Sequence, residues 1–177
     1  GSGPPTQVDG LTNVITIAAG GGHSLALKAD GTVWAWGSNY SGQLGNGQEW
    51  TYNDAAATRI NGLEDVIAIA AGARYSLALK ADGTVLFWGT FGDFRLGDIN
   101  GQVQATPVQV PGITNIIAIG TGDRHAMAVK RDGTMWTWGY GLNGQLGDGN
   151  MDDQDTPVQV TSADAQDGLN LFVIRPS

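Results

Sequence analysis

The sequence predicts an all-β fold of three tandem units, each made of four short antiparallel strands, and three observations predict it. The first is a phrase written three times: HSLALKADGTVWAWG from His23, YSLALKADGTVLFWG from Tyr75 and HAMAVKRDGTMWTWG from His125, at offsets of 52 and 50 residues. Such a period belongs to repeat architectures in which each unit is one supersecondary motif. The second is a dipeptide inside each copy, Asp30-Gly31, Asp82-Gly83 and Asp132-Gly133, whose tolerance of positive φ marks a tight hairpin. The third is alternation. Trp34 and Trp36 share one side of their strand, and Val33 and Ala35 take the other, because successive strand side chains point to opposite faces. Both sides are apolar, as a sheet sandwiched between two like sheets requires.

The elements follow in order within each unit. A first strand is expected at Val14 to Ala19, Val66 to Ala71 and Ile116 to Thr121, each followed by a glycine, Gly20, Gly72 or Gly122. The second runs from His23, Tyr75 or His125 to Lys28, Lys80 or Lys130. After the Asp-Gly turn comes a third, Thr32 to Trp36, Thr84 to Trp88 and Thr134 to Trp138, ended by Gly37, Gly89 and Gly139. A long polar loop containing GQLG, RLG or GQLG leads to a fourth, which opens at Ala57, Thr106 or Thr156. The proline in its second and third copies, Pro107 and Pro157, suits an edge strand that need not donate every backbone hydrogen bond.

Tandem four-stranded antiparallel units of this length describe β-propeller blades. The succession AAGGGHSLALKADGTVWAWGSNYSGQLGNG, Ala18 to Gly47, closely resembles the repeat of the regulator of chromosome condensation family. That resemblance implies a propeller, usually of seven blades. It also implies a range of functions: nucleotide exchange on a small nuclear GTPase, chromatin contact, ubiquitin-ligase scaffolding and, in bacterial relatives, protein inhibition. A fold shared by so many activities does not choose among them.

Three blades are expected at about 14–65, 66–115 and 116–166, with a strand at 5–8 completing the first and a diverged strand or latch at 167–177. Gly1-Ser2-Gly3 reads as a cloning scar. Propellers typically close with four to eight blades, so three make an arc. Either the chain is a fragment of a longer propeller, or it is a structural half that assembles. The reading favoured is a homodimer closing a six-bladed ring, with the apolar tail residues Leu169, Leu171, Phe172, Val173 and Ile174 latching the junction.

Composition excludes several classes. With 17 acidic and 9 basic residues the net charge is −8, which opposes a phosphate backbone, and no basic stripe with interleaved aromatics overrides it. Nucleic acid is therefore not an expected partner. The longest clean apolar stretch, Val66 to Ala73, is far shorter than the ~20 residues of a membrane span. A soluble protein is expected, cytosolic or extracellular, with no membrane partner. The absence of cysteine removes disulfides and thiolate chemistry.

Catalytic and cofactor motifs fare poorly, and no cofactor is expected. His23 and His125 stand at one repeat position where Tyr75 substitutes, which is the behaviour of a structural residue. Ser24 and Ser76 give way to Ala126, so no serine-histidine-acid arrangement is specified. Gly20-Gly21-Gly22 lacks the lysine and hydroxyl of a phosphate loop and precedes a strand. The loop Asp148 to Asp155 opens like a calcium loop at Asp148, Asn150 and Asp152, but Asp153 stands where the sixth-position glycine belongs and Gln159 where the bidentate glutamate belongs. A turn role is the stronger reading.

Function is expected on the face where the loops between strands one and two and between strands three and four emerge together. Its variable residues are Arg74, Arg124, Tyr40, Leu142 and Tyr140, with Phe91, Phe94 and Arg95 in the second unit and Trp50 and Tyr52 in the first long loop. Aromatics and arginines at positions the fold leaves free are typical of recognition hot spots. The leading expectation is a noncatalytic module that grips a protein partner. Guanine-nucleotide exchange on a small GTPase is the competing one, and the wedge that family exchange factors insert from one blade is not recognisable here.

Overall fold

In the computed structural model, residues 4–49, 51–92 and 103–161 are described. They form twelve strands: β1 (Val14–Ala19), β2 (His23–Lys28), β3 (Val33–Asn39), β4 (Thr51–Arg59), β5 (Val66–Ala71), β6 (Tyr75–Lys80), β7 (Val85–Gly89), β8 (Gln104–Gln109), β9 (Ile116–Thr121), β10 (His125–Lys130), β11 (Met135–Gly139) and β12 (Gln154–Gln159). These make three four-stranded antiparallel meanders, β1-β2-β3-β4, β5-β6-β7-β8 and β9-β10-β11-β12. Each is one blade.

The first and second strands of every blade lie where the repeat pattern puts them. The third and fourth differ at their ends. β3 runs on to Asn39, β4 begins at Thr51, and β8 and β12 each start two residues before their expected threonines. The reason is a set of register shifts just before the glycines, between Ala35 and Gly37, Phe87 and Gly89, and Thr137 and Gly139: Gly37 pairs with Asp54, Gly89 with Gln104 and Gly139 with Gln154, so the ladder bends around a bulge and continues. Tyr52 therefore belongs to β4 rather than to a loop. Residues 5–8 form no strand, and the first blade is completed by its own β4. A segment resembling a fourth strand needs the third strand of a preceding blade, and no such strand precedes it among the described residues. The tail at 167–177 lies outside the described residues.

Two cores hold the arc together, and both lie between blades. Between blades one and two, Leu25, Leu27, Val33 and Ala35 meet Ala78 and Trp88, closed by Leu44 and Ile60. Between blades two and three, Leu77, Leu79, Val85 and Phe87 meet Ala126, Ala128 and Trp138. At roughly 25 cal/mol per Å² of apolar area removed from water, these junctions rather than the individual blades carry the stability. Trp88 and Trp138 are fully buried. Trp36, their equivalent, is only half-buried, because its face of blade one has no blade in front of it.

Short-range chemistry sets the turns. Asp30, Asp82 and Asp132 each accept hydrogen bonds from the backbone N–H and the hydroxyl of the threonine two residues on, at 2.6 to 3.0 Å. The following glycines take φ of 79°, 83° and 86°, the left-handed conformation that Cβ-bearing residues resist.

Candidate functional site

Every junction between blades carries a buried hinge point just beneath the loop face. At the first, His23 Nε2 lies 2.8 Å from Ser76 Oγ, and the serine hydroxyl donates to the Gln43 carbonyl at 3.0 Å. Trp88 Nε1 donates to the same carbonyl at 2.9 Å. Since the serine proton is committed to Gln43, His23 must donate from Nε2, and the lone pair falls on Nδ1, which is buried without a partner. Burial pushes the His23 pKa down from 6.5 to about 4, so the ring is neutral.

The second junction uses different atoms in the same places. The Tyr75 hydroxyl sits between the carbonyls of Gly122 and His125, and burial pushes its pKa up. Its ring stacks on Phe87, with centroids 5.8 Å apart, and meets Phe91 at 4.4 Å. A Cβ on Gly72 would fall 1.9 Å from the Tyr75 ring. That glycine is required by the close approach of the aromatic, and Gly20 and Gly122 make the same room for His23 and His125. The histidines are thus packing and hydrogen-bonding elements of the junctions.

Above each hinge point the two loop systems enclose a cleft. The first, of about 520 Å³, is lined by Gly21 and Gly22 from the β1–β2 loop, Ser38, Tyr40, Ser41 and Gln43 from the end of β3 and the β3–β4 loop, and Ala73 and Arg74 from the next blade. The second, of about 200 Å³, repeats the plan one blade on with Ala73, Arg74, Thr90, Phe91, Gly92, Asp123 and Arg124. Arg74 borders both. The expected loops do share one face, and equivalent positions line equivalent clefts.

The expected recognition residues divide. Arg74, Arg124, Tyr40 and Leu142 are exposed. Arg124 lies over the half-buried Tyr140 ring, 5.8 Å from its centroid, and 4.0 Å from Asp123. Phe91 is a correction: only 2% exposed, it belongs to the core with Tyr75 and Phe87. Its place explains why. In blade one the equivalent residue is the buried Asn39, whose side chain donates to Asn46 Oδ1 and the Gln48 carbonyl and accepts from the Leu44 N–H. Polar bonds pin the loop there, and at the equivalent position of blade two Phe91 packs on Tyr75 and Phe87 instead. Trp50, Phe94 and Arg95 lie outside the described residues, and nothing is described of the Tyr52 side chain.

Sequence reasoning missed Ser38, Ser41 and Gln43, which line the larger cleft. Gln43 accepts the Ser41 N–H on its side chain at 2.8 Å while its carbonyl serves the junction. The recurrence of GQLG at Gly144 to Gly147 was the available signal. In the acidic loop, Asp148 accepts the Asn150 N–H and the Gln154 amide at 3.0 and 2.9 Å, and Asp153 accepts the Gly141 N–H at 2.8 Å. These carboxylates bind the loop to itself.

Comparison with known proteins agrees with this architecture. The regulator of chromosome condensation (RCC1) repeat model matches residues 30–79, 82–129 and 132–169. A probable E3 ubiquitin-protein ligase of Homo sapiens, HERC3, is 35% identical over 99 residues, 55% of this chain and 9% of the relative. The regulator of chromosome condensation of Mus musculus is 33% identical over 89 residues, 50% of this chain and 21% of the relative. The crystal structure of Prp20p from Saccharomyces cerevisiae, described with its binding properties to Gsp1p and histones, superposes with a TM-score of 0.77 at 27% identity, over 89% of this chain and 40% of that one. The chain thus spans less than a quarter of these curated relatives and two fifths of the solved one.

Proposed function

Since the chain belongs to the regulator of chromosome condensation (RCC1) repeat family, we propose that it is a noncatalytic protein-interaction module whose binding surface is the loop face. One observation carries this reading: two equivalent clefts at successive junctions, bordered by the exposed guanidinium groups of Arg74 and Arg124 and, in the first, by Tyr40. On a chain of net charge −8, cations and a half-exposed aromatic gathered on one face favour an acidic segment of a protein. Arginine matches a carboxylate bidentately, and a tyrosine beside it supplies rigid apolar area. Among the described residues no cluster of three or more histidines or carboxylates is placed to hold a metal, and both histidines are absorbed by packing.

Affinity capture from the native host, with the intact chain as bait, tests the proposal. The double variant Arg74→Glu/Arg124→Glu should lose the captured protein while its thermal transition stays within a degree or two of the parent, since both side chains are exposed. Undiminished capture would move the site off this face. Likeness to Prp20p, whose structure is described with binding to Gsp1p, favours guanine-nucleotide exchange as a second reading. Release of a labelled nucleotide from a small GTPase separates the two. Acceleration by the chain supports exchange, and an unchanged rate supports the module.

A further inference from the structure

The two ends of the arc carry the two halves of a junction. At the first internal junction, His23 and Gln43 on one blade meet Ser76 and Trp88 on the next. On the open face of blade three, the equivalents of His23 and Gln43 are His125 and Gln145, and on the open face of blade one the equivalents of Ser76 and Trp88 are Ser24 and Trp36. All four residue types recur. The second internal junction does not keep them, having Tyr75 and Ala126 in the places of His23 and Ser76. The free ends therefore match an existing junction more closely than the two existing junctions match each other.

Geometry supports the match. Gln145 accepts the Asn143 N–H on its side chain at 2.9 Å as Gln43 accepts that of Ser41 at 2.8 Å. The turns agree too, Gly147 N–H to the Gly144 carbonyl at 3.2 Å and Gly45 N–H to the Gly42 carbonyl at 3.0 Å. Apolar exposure falls on the same two faces. Ile17 is 74% exposed where Ile69 and Ile119 pack against the cores, and Met135 is 43% exposed where Val33 and Val85 are fully buried. Ile69 and Val33 belong to one core, so a third junction would bring Ile17 and Met135 together.

We propose that both open faces are occupied by a second copy of this chain. Blade three of each copy packs on blade one of the other, His125 bonds Ser24, and the Gln145 carbonyl accepts from Ser24 and Trp36. The contact is between unlike faces and occurs twice about a two-fold axis, closing a six-bladed ring. Each new junction also sets Arg124, Tyr140 and Leu142 of one copy beside Gly21 and Gly22 of the other, as the equivalent Gly22, Ser38 and Tyr40 are set beside Ala73 and Arg74 within the chain, adding two clefts to the loop face.

Light scattering on the 177-residue chain at tens of micromolar should give twice its 18.4 kDa. Ile17→Glu and Met135→Arg alter exposed side chains of the isolated arc, so each variant should fold, with an unchanged circular dichroism spectrum, and remain a monomer. Mixed in equal amounts they should recover the dimer, because the mixed pair has one unaltered junction and one Glu–Arg junction. A parent chain that stays monomeric overturns the proposal. So do a dimer indifferent to both substitutions, a mixture that stays monomeric, and a ladder of larger species growing with concentration, which would mean that the arcs join without closing.

Discussion

The three equivalent tryptophans show how position within the arc, rather than residue type, sets energetic weight. Trp36, Trp88 and Trp138 are equivalent in sequence, yet Trp88 and Trp138 are fully buried and Trp36 is half-exposed. Replacing Trp88 or Trp138 by alanine should cost about 3–5 kcal/mol. Trp36→Ala should cost well under half as much in dilute solution, measured by urea unfolding, and equal losses at all three would place Trp36 in a core. His23 makes stability depend on pH. Its pKa is lowered on folding from 6.5 to about 4 by burial, so the unfolded chain binds the proton first. The contribution is whole above pH 6.5, falls as pH drops toward 4, and is on the order of 3 kcal/mol. His125 shifts in the same direction, also by burial, and Asp30, Asp82 and Asp132 lie below the usual carboxylate range because of their threonine hydrogen bonds. Those carboxylates lose their part at still lower pH. Urea midpoints at pH 7 and pH 5 should therefore converge in His23→Gln relative to the parent, and an equal drop in both proteins would assign the dependence elsewhere.

At the scale of the element, the three hairpins look interchangeable and are not. Gly31, Gly83 and Gly133 all take positive φ, which costs a Cβ-bearing residue roughly 1–2 kcal/mol. A Cβ on Gly83 would in addition lie 3.0 Å from Asn115 Cα and 3.1 Å from Ile116 N, whereas nothing lies within 4 Å of one on Gly133. The hairpin of blade two abuts the start of blade three, reinforced by the Ile116 N–H donating to the Gly83 carbonyl at 3.1 Å. In dilute solution, with the chain as a single arc, Gly133→Ala should thus cost about 1 kcal/mol and Gly83→Ala at least twice that. Chemical denaturation of the two variants checks the difference, and equal costs would mean that the blades relax apart at that point.

The three described blades form an arc whose stability resides in contacts between neighbours, as in other repeat proteins. No helix among the described residues is long and apolar enough to cross a membrane. The net charge of −8 surrounds Arg74 and Arg124 and should repel a polyanion, leaving the two guanidinium groups to attract an acidic protein segment only at short range. Duplex DNA should accordingly show no retardation with the chain at physiological salt in a gel-shift assay. Tight binding there would show that the local field of Arg74 and Arg124 outweighs the overall charge.

The sequence by itself determined the blades. Period, Asp-Gly turns and alternation are local signals, so the first and second strands of every blade were legible to the residue, and the family with them. Where the signal was not local, legibility failed. The bulges just before Gly37, Gly89 and Gly139 arise from pairing across a long loop, and with them the start of each fourth strand shifts. A segment at 5–8 that reads as a strand joins no sheet among the described residues. Tertiary structure also decided that Phe91 is core and Trp36 is not, because burial depends on which blade stands opposite, a relation no single repeat contains. The arginines and Tyr40 could be read as variable positions of the loop face. That they border clefts built from two blades each, with the Gln43 carbonyl as the hinge beneath the first, follows only from how the blades stack.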